Sequence, residues 1–247
     1  MEITTDKDAL RRALSAKMQS HARGRSFRTE LEELDGLAPG GAFQGGAVHE
    51  LLWPRKAATP TSFALLLARA AAKNRGAIAW SDPERELYLP AISAAGIKLE
   101  HLILLRSANR NDQLWALAEC LRCRGISATV ASIEKLNQIE ARRLQLAAEH
   151  GGGVGIFMRP QRATGAAYAA ATRWLIQSTP GGPDKQRWSA QLLHGHGGQV
   201  GKVLLLEVDR ETRKWRASSP SWTTIPLRAP AALADRSPAT TPARASA

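Results

Sequence analysis

Between residues 47 and 158 the apolar positions alternate between two arrangements. Unbroken runs at Ala47–Trp53, Gly76–Ser81, His101–Arg106, Ile126–Ala131 and Gly153–Met158 predict strands buried on both faces. Helical spacing fills the intervals. Thr61–Asn74 places Phe63, Leu66, Leu67 and Ala70 together, and Glu84–Ala95 follows with Pro90 inside it. Asn111–Arg124 carries Leu114, Leu117, Ala118 and Leu121 on one face, with Gly125 as its stop, and Glu134–His150 is the last of the series. Strands separated by helices need crossovers, and crossovers give parallel strands. After Pro160 the pattern changes. Thr172–Gln177, Trp188–His194 and Gln199–Val208 are strand-like runs joined by Pro/Gly loops too short for a crossover helix, which predicts antiparallel strands at the sheet's C-terminal edge.

The flanks read differently. Asp6–Ser20 predicts a short helix with one narrow apolar stripe, Leu10, Leu14 and Met18, ringed by Lys7, Arg11, Arg12 and Lys17. So thin a stripe suits either the protein's own core or a partner. From Pro226 the composition is Ala, Pro, Arg, Ser and Thr with almost no apolar periodicity, the signature of a disordered tail. The expected division is a basic N-terminal helix and linker over 1–38, a core over 39–216 and a tail over 217–247.

Composition narrows the classes. The chain has 247 residues, 44% hydrophobic and 23% charged, which are globular values. A net charge of +12 suits a polyanionic or acidic partner, nucleic acid first, and also suits a protein merely rich in arginine. No apolar run reaches the roughly 20 residues that span a bilayer, and the N-terminus lacks the pattern of a signal peptide. With only Cys120 and Cys123, no thiol set exists for a zinc site or a disulfide framework, and a reducing, cytoplasmic setting is expected. The six histidines show no metal-binding spacing, His194-Gly195-His196 reads as a hairpin turn, and no G-x-S-x-G elbow occurs.

The segment from Gly40 to Ser62 bears the most on function. Two glycine pairs lead into the strand ending at Trp53, a Pro-containing loop follows, and a helix starts near Thr61. Strand, loop, helix is the setting of a phosphate-binding loop of pattern G-x-x-x-x-G-K-[ST], whose backbone N–H groups and Lys hold phosphates. Here the glycine positions are Trp53 and Ala58, and the Lys position is Thr59. Lys56 sits inside the loop between Pro54 and Pro60, which offer no N–H.

Gly-Gly followed by Val48-His49-Glu50-Leu51-Leu52-Trp53-Pro54 resembles the entrance to RecA-like cores, and more closely the ImuA family. Trp115–Arg122, Arg142–Gly152 and Phe157-Met158-Arg159-Pro160 extend the resemblance over residues 38 to 216. It implies an α/β fold, a RecA-like three-layer core with a mainly parallel central sheet, antiparallel strands at its C-terminal edge, an N-terminal helix and a disordered C-terminal tail. A RecA-type ATPase would place an activating carboxylate at Asp82, a magnesium carboxylate at Ala131 and a γ-phosphate sensor at Met158. Only Asp82 remains, in a Ser-Asp-Pro turn where Asp ordinarily caps backbone.

The resemblance therefore implies a non-catalytic adaptor in SOS-induced translesion DNA synthesis, without a cofactor or metal. It would work with an ImuB-like Y-family polymerase homologue, with RecA and with an error-prone replicative-type polymerase, and be cytoplasmic and nucleoid-associated, with no membrane partner. Leu10, Leu14 and Met18 are its candidate partner contacts. Arg142, Arg143, Arg159 and Arg162 are candidate contacts to DNA backbone, without sequence preference. Two alternatives stay open: an ATP-dependent DNA-binding enzyme with an atypical site, and a SulA-like inhibitor of cell division.

Overall fold

A computed structural model describes residues 26–55, 57–73, 76–161, 169–180 and 183–218. Nine strands form one sheet: β1 (Val48–Trp53), β2 (Ala77–Ser81), β3 (Leu102–Leu105), β4 (Ile126–Ser132), β5 (Val154–Pro160), β6 (Thr172–Thr179), β7 (Lys185–Gly195), β8 (Val203–Asp209) and β9 (Trp215–Ala217). Their spatial order is β3-β2-β4-β5-β1-β6-β7-β8-β9. The pairings from β3 through β6 are parallel, and β6 to β9 are antiparallel. The fold is thus α/β with a mainly parallel sheet finished by antiparallel strands, as the sequence predicts.

The helices are α1 (Glu32–Asp35), α2 (Thr61–Ala72), α3 (Leu89–Ala94), α4 (Arg110–Arg122) and α5 (Gln138–Gly151). Alternate residues of the central strands supply two cores. Ala128, Val130, Ile156 and Met158 face the layer that holds α2, with Phe63, Leu66 and Leu67. Ala131, Phe157 and Val48 face Leu117, Leu121, Leu144 and Ala148 of α4 and α5. Helices on both faces explain why the strands read as unbroken apolar runs.

Several boundaries move from their predicted places, among them the start of the strand predicted from Gln199, which begins at Val203, and three move for an evident local reason. The fourth crossover helix begins at Gln138, not Glu134, because Asn137 makes a capping box with Glu140. The segment after β2 is helical only over Leu89–Ala94. Arg85 takes φ 58, and Pro90 occupies the first turn, where a missing N–H costs nothing. Helix α4 stops at Arg122, with Cys123 already extended, so Gly125 is not its cap. Strand β9 has no counterpart in the hydrophobic pattern, since three residues are too few to show a period. It is fixed by the pairing of Trp215 with Val208 and by the edge-on contact of its indole with Phe63, 6.1 Å between ring centres. The predicted helix over Asp6–Ser20 and the tail from Pro226 lie outside the described residues.

Ahead of β1 the chain forms a strap. Phe27 and Phe43 pair across it, Thr29 donates from both backbone and hydroxyl to the Asp35 carboxylate, and Leu34 and Leu37 are fully buried.

The Gly151-Gly152-Gly153 run has a steric explanation. A Cβ at Gly151 would lie 2.0 Å from the Leu121 carbonyl oxygen, and one at Gly153 would lie 2.6 Å from that of Ile126. Gly152 caps α5 with φ 79. The run lets the end of α5 close against the end of α4. Gly151→Ala is expected to lower unfolding free energy by about 3 kcal/mol in urea titrations, through backbone displacement. Gly197→Ala, at φ 82 but in open space, should cost only about 1 kcal/mol.

Candidate functional site

The carboxyl ends of β2, β4 and β5 and the start of α2 surround a cavity of about 460 Å³, the usual position for a ligand crevice in an open α/β sheet. Leu65, Leu66, Trp80, Ile92 and Met158 form its apolar wall. Thr59, Thr61 and Ser62 come from the loop between β1 and α2 and from the first turn of the helix, and Arg213 and Trp215 reach in from the β8–β9 turn.

Part of the loop's own backbone is committed. Ala57 N–H donates to Pro54 and Thr61 N–H to Thr59, while Pro54 and Pro60 have no N–H to offer. Arg55 reaches across to ion-pair with Glu134, so the loop is tied to the segment that follows β4. Lys56 lies outside the described residues. Asp82, the one acidic residue at an ATPase-like position, is 7% exposed and lines the cavity, yet its carboxylate is turned to the backbone. It accepts from Glu86 N–H at 2.9 Å and Leu87 N–H at 3.2 Å, fixing the turn that precedes α3. This is the Asx-type capping expected of a Ser-Asp-Pro turn. Ser132 contributes to the cavity wall beside Met158, whereas Ala131 points into the opposite core with α4 and α5.

The candidate cations are dispersed. Arg142 and Arg143 are exposed on α5, Arg142 3.9 Å from Glu149. Arg159 is not at the surface. Its side chain is 9% exposed and donates to Glu50 at 2.6 Å, so it is no free phosphate ligand. It lies on β5, paired in register beside β1, where a charge must find a buried partner. Arg162, Leu10, Leu14 and Met18 lie outside the described residues. Among the described residues no His/Cys/Asp/Glu group is arranged to hold a metal, and Cys120 and Cys123 are free thiols.

The hydrophobic pattern concealed two polar arrangements on β1. Glu50, with its side chain 1% exposed, accepts from Arg159 on one side and from Arg173 on the other, at 2.8 Å from Arg173 Nε. His49 is fully buried next to Phe27 and Phe43. Its Nε2–H donates to the Gln44 carbonyl at 2.9 Å, which leaves Nδ1 to accept from the Thr172 hydroxyl at 2.7 Å. That hydroxyl in turn accepts from Trp174 Nε1 at 2.9 Å. A His-Glu pair inside an otherwise apolar strand is the signal that could have located both sites.

Sequence comparison supplies the relationship. Protein ImuA of Caulobacter vibrioides is 29% identical over 195 residues, covering 70% of this chain and 79% of that protein. This chain is related to the ImuA proteins. The cell division inhibitor SulA of Pectobacterium carotovorum is 26% identical over 136 residues, 55% of this chain and 81% of that protein. SulA of Yersinia pestis is 24% identical over 115 residues, covering 47% and 68%. No protein-family model matches the chain. The ImuA relationship agrees with the family to which the Val48–Pro54 and Trp115–Arg122 segments point.

Two stability measurements follow for this ImuA relative. Burial holds the His49 pKa down to about 4, with the bond to Gln44 acting weakly the other way. In the unfolded chain His49 titrates near 6.5, so between pH 6.5 and 4 the unfolded state takes up a proton that the folded state refuses. Stability is therefore full above about 6.5 and declines as pH falls through 4, by about 3 kcal/mol from this group. Urea midpoints across that range should show the decline, and His49→Gln should flatten it. Glu50→Gln, which leaves two buried guanidiniums against a neutral amide, should cost about 3 kcal/mol or more. Glu50→Leu combined with Arg159→Met and Arg173→Met, which removes all three charges, should recover part of that loss in the same measurement.

Proposed function

We propose that this protein is a non-catalytic accessory factor of damage-induced translesion DNA synthesis. The observation that carries the reading is the 29% identity over 195 residues to an ImuA protein, which covers 70% of this chain. The reading takes the core as RecA-like and the β1–α2 loop as a former nucleotide site kept for its shape. Three features support it. The glycine and lysine positions of the loop hold Trp53, Ala58 and Thr59. Its N–H groups at Ala57 and Thr61 are spent on internal turns. Asp82, which could have activated water, is spent on backbone. Phosphoryl transfer depends on charge placed around the phosphate, and the loop position that would supply its lysine is Thr59.

In this role the protein docks on an ImuB-like polymerase homologue, with RecA and an error-prone polymerase as further partners of the assembly. It touches DNA without reading sequence, through basic segments that include the N-terminal cluster and Arg162, in keeping with the net charge of +12. No described helix is long and apolar enough to cross a membrane, which fits a nucleoid-associated protein. A second reading, a SulA-like inhibitor of division, draws on the 26% identity to SulA over 136 residues.

Deleting the gene is expected to abolish most ultraviolet-induced mutation while leaving survival of undamaged cells intact, with restoration by the full chain. The purified chain should show no magnesium-dependent ATP turnover above a Thr59→Ala variant. Filamentous growth on overexpression, with normal induced mutation in the deletion strain, would select the division-inhibitor reading instead. Turnover that Thr59→Ala removes would select the enzyme reading.

A further inference from the structure

At the other end of the strands from the crevice, the starts of β2 and β3 border a second cavity, of about 290 Å³. Four permanent cations line it: Arg28 from the strap, Arg69 and Lys73 from the end of α2, and Lys98 from the turn before β3. His101 stands beside them, and Ile78 and Ile97, 2% and 5% exposed, close the floor. Glu30 is the one carboxylate among the described lining residues. Glu100, outside the lining, lies 3.9 Å from both Lys98 and His101. Asp35 is turned inward to Thr29, and Glu32 and Glu33 of α1 do not line the cavity. With Glu100 counted, four cations stand against two carboxylates. The carbonyl end of α2 adds about half a negative charge, which still leaves a positive excess. Asn74 and Arg75, between Lys73 and Gly76 in the chain, lie outside the described residues.

The backbone around this cavity is specialised. Glu30 takes φ 70, a left-handed conformation that a non-glycine residue seldom adopts and that gathers at functional sites. From there its carboxylate accepts from Lys73 Nζ at 2.7 Å. The hydrogen bond and charge of Lys73, with Arg69 behind them, hold the Glu30 carboxyl below its ordinary range, against an opposing effect of burial. Opposite, Gly96 takes φ 84, and a Cβ there would stand 3.4 Å from Arg69 Nη1, which donates to the Ala95 carbonyl at 3.3 Å. Glu30 therefore occupies the place of an anion among the cations. Its pair with Lys73 is weak, since the two side chains are 63% and 66% exposed, and an incoming anion can displace it.

The lining favours a phosphate over other anions. A protein partner needs an open apolar recess for an anchoring side chain, and here Ile78 and Ile97 form a closed floor. Bases need an aromatic ring to stack on, and none lines the cavity among the described residues. A phosphodiester asks only for cations. A further exposed cation, Arg124, stands one residue before the Gly125 carbonyl that accepts from Ala77 N–H at 2.9 Å, so the basic end of the sheet extends from β2 to β4. We propose that this cavity seats a backbone phosphate of DNA, with Arg28, Lys73 and Lys98 as its ligands and Glu30 as the carboxylate that the phosphate displaces. The inference rests on the accessory reading only in taking DNA as the polyanion, and it places a contact in the core, apart from the N-terminal cluster and Arg162.

The test measures fluorescence anisotropy of a labelled single-stranded oligonucleotide of about 20 nucleotides, longer than one ordinary binding site, against the full chain over a range of salt. Lys73→Gln with Lys98→Gln should weaken binding about tenfold and lower the slope of log affinity on log salt by about 1. Glu30→Gln should act the other way, tightening binding about threefold or more by removing the competitor. Two controls remove charge elsewhere: Lys135→Gln with Lys214→Gln, and Glu33→Gln, all exposed and outside the lining. The proposal is overturned if the Lys73 and Lys98 pair costs no more than the Lys135 and Lys214 pair. It is also overturned if Glu30→Gln binds DNA no better than Glu33→Gln. In the ¹⁵N-labelled chain, DNA should shift the amides of Lys73, Gly96 and Lys98. Shifts there with inorganic phosphate or a poly-glutamate peptide, at matched ionic strength, but not with DNA would also overturn it. DNA binding that survives the Lys73 and Lys98 changes removes this site and leaves the accessory reading standing. A Lys73 and Lys98 variant that binds DNA weakly yet restores induced mutation keeps the site and separates it from the accessory role.

Discussion

The sheet is organised around a carboxylate that cannot reach water. Glu50 sits on the central strand β1, and its two oxygens are taken by Arg159 from β5 and Arg173 from β6. Those are the strands that flank β1, so one side chain fastens the parallel strands β3-β2-β4-β5 to the strand where the antiparallel segment begins. A buried pair of this kind adds little net stability over well-packed apolar residues, but breaking it is costly. Its consequence is therefore register: Glu50 must lie beside Arg173, and a shift of one residue would turn the carboxylate into the opposite core. His49 applies the same constraint to the other face. Its ring is satisfied only if Thr172 of β6 and the Gln44 carbonyl are both in place. Two adjacent polar residues on one strand thus define where β6 docks, from above and from below the sheet.

That constraint also accounts for the fate of the arginine at the end of β5. A cation after Met158 looks available for a polyanion when only the chain is considered. In the fold it is the partner that Glu50 requires. Asp82 follows the same logic at the end of β2, since its carboxylate completes a turn whose N–H groups at Glu86 and Leu87 would otherwise go without that partner. Two charged groups at the ends of β2 and β5, Asp82 and Arg159, are thus engaged by the scaffold. What lines the crevice is mixed, with Arg69, Arg213, Glu84 and Glu86 beside Asp82.

The order of helices and strands was legible because each central strand is buried on both faces and each crossover helix has a clean stripe. The runs at Ala47–Trp53 and Ile126–Ala131 differ from β1 and β4 by a single residue at one end. Boundaries failed where a side chain outside the apolar pattern set them, as Asn137 and Glu140 do for α5. Strand β9 was illegible because its position depends on the edge of β8 and on Phe63, both remote in sequence. At the site, the residue types in the loop were readable, but the direction in which Asp82 and Arg159 point was not. That direction depends on partners 4 to 109 residues away, which a linear pattern does not contain.

The same distinction separates the two kinds of exposed position in α4 and α5. Arg142 and Arg143 attract attention in the sequence because charge is conspicuous there, whereas Trp115 and Ile139 fall on no face that the pattern singles out. Once the buried stripes are fixed as Leu117-Ala118-Leu121 and Ala141-Leu144-Ala148, the two apolar residues become the anomaly and the arginines become ordinary rim charges. Exposing an indole and a sec-butyl group to water forgoes on the order of 2 kcal/mol for each that burial would return.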